Sequence, residues 1–149
     1  MPQLKEVTAE TKKGPKENKY LNKQRQAEVL ALYYEGLTVQ QISEKFNTKM
    51  EQLIDHSIVG NARSIGLIGA IELVKNKKSK TYFDPKIAIG TRIVKNAQRN
   101  GLIVRALQGD IVALCPPLII NSKELDILFK KFNKSIEDTA VELNTEGLM

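Results

Sequence analysis

The sequence predicts an α+β fold, a small mainly antiparallel sheet backed by helices, with short helices and a basic tail ahead of it. Three observations carry that prediction. Two apolar, β-rich runs, Leu102 to Leu107 and Ile111 to Cys115, flank Gln108, Gly109 and Asp110, the pattern of a β-hairpin with a glycine at its tip. A nearly continuous apolar run from Gly66 to Val74 predicts a further strand, hydrophobic enough to be covered on both faces. Near the C-terminus, Leu125, Leu128, Phe129, Phe132 and Ile136 fall on one stripe at helical spacing, which is a core face and not a cofactor box.

Taken in chain order, residues 1–26 come first. Lys5, Lys12, Lys13, Lys16, Lys19, Lys23 and Arg25 stand there against Glu6, Glu10 and Glu17, with scarcely a large apolar residue before Tyr20. Such a stretch predicts a solvated, disordered basic tail, open to loose attraction to nucleic acid or serving only as a solubilising extension. Much of the chain's formal charge of +6 is concentrated in it.

Residues 27–58 read as a helical segment. Val29, Leu30, Leu32, Tyr33 and Tyr34 supply the apolar surface of a short helix closed by Gly36. Thr38 with Gln41, and Thr48 with Glu51, each fit a capping box, in which a threonine hydroxyl and the side chain three residues on satisfy reciprocal backbone donors. Two helix starts ten residues apart, at Thr38 and Thr48, imply three short helices in all. With Leu37, Val39, Ile42, Phe46, Met50, Leu53 and Ile54 facing inward, the arrangement resembles helix-turn-helix DNA-binding domains. Lys49 and Gln52 would then lie near the start of the recognition helix, although Glu51 and Asp55 would face phosphates with the wrong sign. His56 reads as a polar residue at a helix end.

Residues 59–149 hold the sheet. After the Gly66–Val74 strand, Lys75, Asn76, Lys77, Lys78, Ser79 and Lys80 form a basic, solvated turn. Asp84 and Pro85 read as the cap and first residue of a helix running to about Asn100, because proline gives up a donor that a helix start cannot use. Ile87, Ile93, Val94 and Ala97 can line its inner face, and Gly101 stops it. The hairpin follows, and Asn121 with Glu124 opens the last helix through another capping box.

A chain of 149 residues, 42% hydrophobic, can bury one ordinary core and a small extra module. The longest apolar run, Ile111 to Ile120, is broken by Pro116 and Pro117 and is too short for a membrane span, and the polar N-terminus lacks the apolar core of a signal peptide. The single cysteine, Cys115, has no disulfide partner and reads as a small buried hydrophobe in a strand, so a cytoplasmic protein is expected. No residue pattern points to a metal site. The one side chain with evident chemistry is Arg105, a planar, permanently charged fork suited to gripping a carboxylate through two parallel hydrogen bonds. On the residues alone it can equally pair with Asp110 or point into water.

The segment from about Asp55 to Leu143, with the marks SIGLIGAIELV, FDP, GLIVRALQGD, CPPLII and ELDILFKKFNKSIEDT, resembles the C-terminal small domain of class III pyridoxal-phosphate aminotransferases, those acting on ω-amino acids in particular. The helical segment can also be laid on that pattern, with an EGL-like turn before a long helix and a DHxxVG-like stretch at Asp55, His56, Val59 and Gly60. The resemblance implies that Arg105 reaches into an active site and holds the substrate carboxylate, framed by the turn at Gln108, Gly109 and Asp110 and by the Pro116-Pro117 corner. It also implies pyridoxal phosphate as cofactor, dimerisation, and a large domain that supplies a Schiff-base lysine, an acid at the pyridine nitrogen and donors for the phosphate. None of those catalytic groups is carried over to a residue of this chain, whose lysines are expected in the tail, the basic turn and exposed helix faces.

Three functions follow as expectations. One is a truncated or split aminotransferase, transferring an amino group between an amino acid or amine and a keto acid once another chain supplies the large domain. It predicts an exposed apolar patch and either that partner or self-association. The second is a DNA-binding helix-turn-helix fused to a relic dimerisation domain, and the third a non-catalytic decoy subunit.

Overall fold

The computed structural model describes residues 38–149; the expected tail and the helix over 27–36 lie outside the described residues. Helix α1 (Val39–Gln52) begins as the sequence predicts. The Thr38 hydroxyl accepts the Gln41 amide proton at 3.2 Å, and the Gln41 side chain accepts the Thr38 amide proton at 2.9 Å. The second expected start, at Thr48, does not form. Thr48 lies inside α1 and its hydroxyl donates to the Glu44 carbonyl at 3.0 Å, so a single helix of 14 residues stands where two were expected.

After a single 3₁₀ turn at Leu53–Asp55 come strands β1 (Val59–Ile65) and β2 (Ile68–Leu73), an antiparallel hairpin closed at Ile65↔Ile68. Gly66 takes φ +59° in the two-residue turn, a conformation that costs a glycine nothing. Within the expected Gly66–Val74 strand the first two residues are therefore this turn. Nor is β2 covered on both faces: Gly69, Ile71 and Leu73 are buried, whereas Ile68 is exposed and Ala70 and Glu72 are half-buried. The strand has one open face.

Asp84 and Pro85 initiate a 3₁₀ turn, Pro85–Ile87, and not the long helix itself. Ala88 then turns left-handed (φ +50°), and helix α2 (Ile89–Arg99) starts after it without a local side-chain cap. Its cap comes from elsewhere in the chain. The Asp110 carboxylate, at the tip of the next hairpin, accepts the Gly90 amide proton at 3.3 Å and places negative charge at the positive end of the helix. Gly101 (φ +72°) ends α2 as expected, with the Leu102 amide bonding back to the Ala97 carbonyl at 2.8 Å.

Strands β3 (Arg105–Leu107) and β4 (Ile111–Leu114) form the expected hairpin in a shorter version, with Gly109 and Asp110 both at positive φ in its tip. Helix α3 (Ser122–Thr145) carries the expected capping box of Asn121 and Glu124, and Leu125, Phe129, Phe132 and Ile136 are buried along its inner stripe. The antiparallel sheet has the order β1-β2-β4-β3. One core cluster runs from Ile42 on α1 through Ile71, Ile93 and Val112 to Leu143 on α3; α1 and α2 pack on the sheet, and α3 packs against both helices.

Between α2 and α3 polar pairs accompany the apolar core. Asn96 donates to the Thr139 hydroxyl at 3.0 Å, and Asn100 donates both to Ser135 and to Asp138, each at 3.1 Å. The Asp138 carboxyl is held below the ordinary carboxylate range, first by Asn100 and then by Lys134. A carboxyl lowered in the folded state adds stability that is complete above its unfolded pKa and is lost as pH falls through the folded one. Asp126, beside Lys45 and Lys49, and Glu146, beside Arg92, are lowered in the same direction. Thermal melts followed by circular dichroism should therefore show a melting temperature that drops on the acid side of the carboxylate range. Asp138→Asn should flatten part of that drop, and an unchanged slope would contradict the coupling.

Candidate functional site

The site is the open face of the sheet. Successive residues of a strand point to opposite faces, so the register places Arg105, Ala113, Ala70 and Arg63 in one row across all four strands. The neighbouring row on the same face is Leu107, Ile111, Glu72 and Asn61. On the far side of the arginine row stand Ile65 and Ile68, which pair across the β1–β2 turn.

Arg105 is exposed and makes no hydrogen bond or ion pair with the described residues. Its expected local partner is occupied, because Asp110 turns to the start of α2. Arg63, in the same row, contrasts with it. Its guanidinium lies 3.7 Å from Glu72, which also accepts the Tyr82 hydroxyl at 3.2 Å and raises the Tyr82 pKa by holding that proton. Of the two guanidinium groups in the row, one is neutralised and one is available. The residue beside Arg105 is Ala113, whose methyl leaves the fork unobstructed.

The surround is apolar. Ile103 is 91% exposed, Ile65 79% and Ile68 60%, and Leu118 and Ile119 after the Pro116-Pro117 corner are also exposed. Large side chains bared in this number make an exposed apolar patch, larger than scattered surface residues produce. Strand parity, which alternates Arg105 with its neighbours, is the signal that would have flagged Ile103 and Leu107 from sequence. The same parity corrects Cys115, which is exposed: Leu114 points inward, so the next residue points out.

Lys49 and Gln52 do not stand at the start of a recognition helix, since both belong to the C-terminal part of α1. Lys49 pairs with Asp126 at 2.9 Å and lies 5.9 Å from the Phe129 ring centre, while Gln52 is exposed. His56 is the expected polar residue at a helix end, its Nε2 2.6 Å from Asn133 Oδ1.

The described residues do not fit pyridoxal phosphate. No described lysine is buried. Lys45 and Lys49 serve Asp126, Lys134 serves Asp138, Lys131 donates to the Gly101 carbonyl, and Lys77 donates to the carbonyls of Ile54 and His56. None of them is desolvated and oriented as an amine that must hold an aldehyde needs to be. No cluster of metal-ligating side chains occurs among the described residues, and no described helix is long and apolar enough to cross a membrane.

Comparison with known proteins gives a consistent result. The family model for class-III aminotransferases matches residues 34–136. The putrescine–pyruvate aminotransferase of Pseudomonas aeruginosa is 40% identical over 92 residues, which are 62% of this chain and 20% of that protein. The mitochondrial gamma aminobutyrate transaminase 1 of Solanum lycopersicum is 34% identical over 68% of this chain and 19% of its own length. Among solved structures, an omega-transferase from Vibrio fluvialis superimposes with a TM-score of 0.69 at 33% identity, covering 72% of this chain and 25% of that one. The chain spans about a fifth of the length of the curated relatives it matches.

Proposed function

The chain belongs to the class-III aminotransferases, and on that premise we propose that it contributes the carboxylate-binding side of an amino-transfer site, with Arg105 as the residue that grips the substrate. The observation that supports this reading is the free guanidinium on the edge strand β3 of an exposed, largely apolar sheet face, whose other arginine, Arg63 on the opposite edge strand, is already neutralised by Glu72. A fork with no partner of its own can form two parallel hydrogen bonds to a carboxylate, of an amino acid or a keto acid, without first breaking an internal pair. Apolar neighbours keep water away from those bonds once the face is covered, which strengthens them.

Pyridoxal phosphate, when bound, supplies the electron sink for amino transfer. Because no described lysine is placed to hold it, the cofactor and its lysine belong to a large domain, carried by the same polypeptide or by another. The exposed face around Arg105 is the surface that domain covers. Two copies of the assembly form the working dimer. A single cysteine, with no partner for an internal disulfide, supports a cytoplasmic setting.

Recovery of the tagged protein under native conditions from its own cells tests this. The eluate should contain a lysine-bearing, pyridoxal-phosphate-binding region and should transaminate. A pure, inactive chain that forms only self-associated species would contradict the reading.

A further inference from the structure

Next to Arg105 the structure has an open cavity of about 650 Å³, bordered by the β3–β4 tip, the segment from Tyr82 to Pro85 and the first turn of α2. Leu107, Ile111 and Glu72 line it, and these three form the row adjacent to Arg105 on the open face. Arg105 and Leu107 lie two residues apart on one strand, so the guanidinium stem and the cavity rim are about 7 Å apart. The two carboxylates in the wall are already in use, Glu72 by Arg63 and Tyr82, Asp110 by the Gly90 amide. What remains is mostly hydrocarbon, Phe83, Pro85, Ala88, Leu107 and Ile111, with Thr91 and Gln108 as the remaining polar side chains of the lining.

Resting on the reading of Arg105 above, we infer that this cavity takes the hydrocarbon body of the ligand whose carboxylate Arg105 holds. The ligand crosses Leu107 and Ile111 and seats an alkyl chain or ring against Phe83 and Pro85. The substrate class follows: carboxylates whose apolar body spans about 7 Å or more, in preference to the shortest acids, which leave the cavity empty and gain nothing from it.

Amide and arginine side-chain NMR on the 15N-labelled full chain tests this with three probes: acetate, 4-phenylbutyrate and the uncharged 4-phenylbutyramide. Phenylbutyrate should shift the Arg105 Nε–H signal together with the amides of Leu107, Ile111 and Thr91, and acetate should shift the Arg105 signal alone. Arg105→Ala should weaken phenylbutyrate binding roughly threefold, the scale of an exposed ion pair, bringing it to the level of the amide. Thr91→Leu, which narrows the cavity from an exposed position on α2, should weaken phenylbutyrate and leave acetate unchanged. If Arg105 responds to both acids while the cavity amides stay silent, the cavity assignment fails and the role of Arg105 stands. Cavity shifts equally strong in Arg105→Ala would show an apolar site independent of the arginine and overturn the inference. Silence of Arg105 toward both acids would overturn the parent reading as well.

Discussion

Phe46→Ala is expected to destabilise the fold by about 3–5 kcal/mol, the range for deleting a fully buried aromatic ring. Phe46 has no exposed surface, meets Phe129 of α3 edge-on with ring centres 5.5 Å apart, and lies over Gly69 of β2. It therefore joins α1 to both the sheet and the last helix. The fit is close: a Cβ placed on Gly69 would stand 2.9 Å from the Phe46 ring and 2.7 Å from the Met50 sulfur, so the absent side chain at 69 is what lets α1 approach. A loss of that size is a large share of the roughly 5–15 kcal/mol that holds a domain folded. Urea denaturation should show a much lower midpoint with the slope unchanged, and Phe46→Leu should recover most of the loss. A change below about 1 kcal/mol, the level of an ordinary substitution, would mean that α1 is not part of the core.

Arg105→Ala is expected to leave stability within about 0.5 kcal/mol, because the side chain is exposed and unpaired among the described residues. Its effect falls on function. A hydrogen bond to a charged partner is worth about 1.5–3 kcal/mol, so KM for a keto acid should rise roughly ten- to a hundredfold in the assembled enzyme. Arg105→Lys keeps the charge but replaces the planar fork with a point donor, and should recover only part of the loss. Full recovery by Arg105→Lys would show that the fork geometry is not used.

The elements that were legible in sequence are those whose cause is local. Thr38 with Gln41 and Asn121 with Glu124 cap their helices as their spacing predicts, Gly101 ends α2, and the hairpin around Gly109 places Arg105 on a strand. The failures have identifiable causes. Thr48 and Glu51 match a capping box, but the same hydroxyl is equally satisfied by the carbonyl one turn back inside a continuous helix. Strand β1 carried little signal because a register shift separates its buried Val59 from the rest and its other inward residues, Ala62 and Ser64, are small, so alternation barely registers. The true start of α2 was invisible because its cap, Asp110, lies 20 residues downstream in another element. For the site, the arginine was legible as a residue type; its freedom was not, since that depends on Asp110 turning away and on Glu72 choosing Arg63. The open face emerges only when four strands are set in register.

The most direct test of the central claim separates the two halves of the transfer in the assembled, cofactor-loaded protein. A donor amine without a carboxylate and a keto acid are followed independently, for the native chain and for Arg105→Ala. The keto-acid half should be slowed through KM while the amine half keeps its rate. Equal losses in both halves, or no loss in either, would contradict a carboxylate-binding role for Arg105.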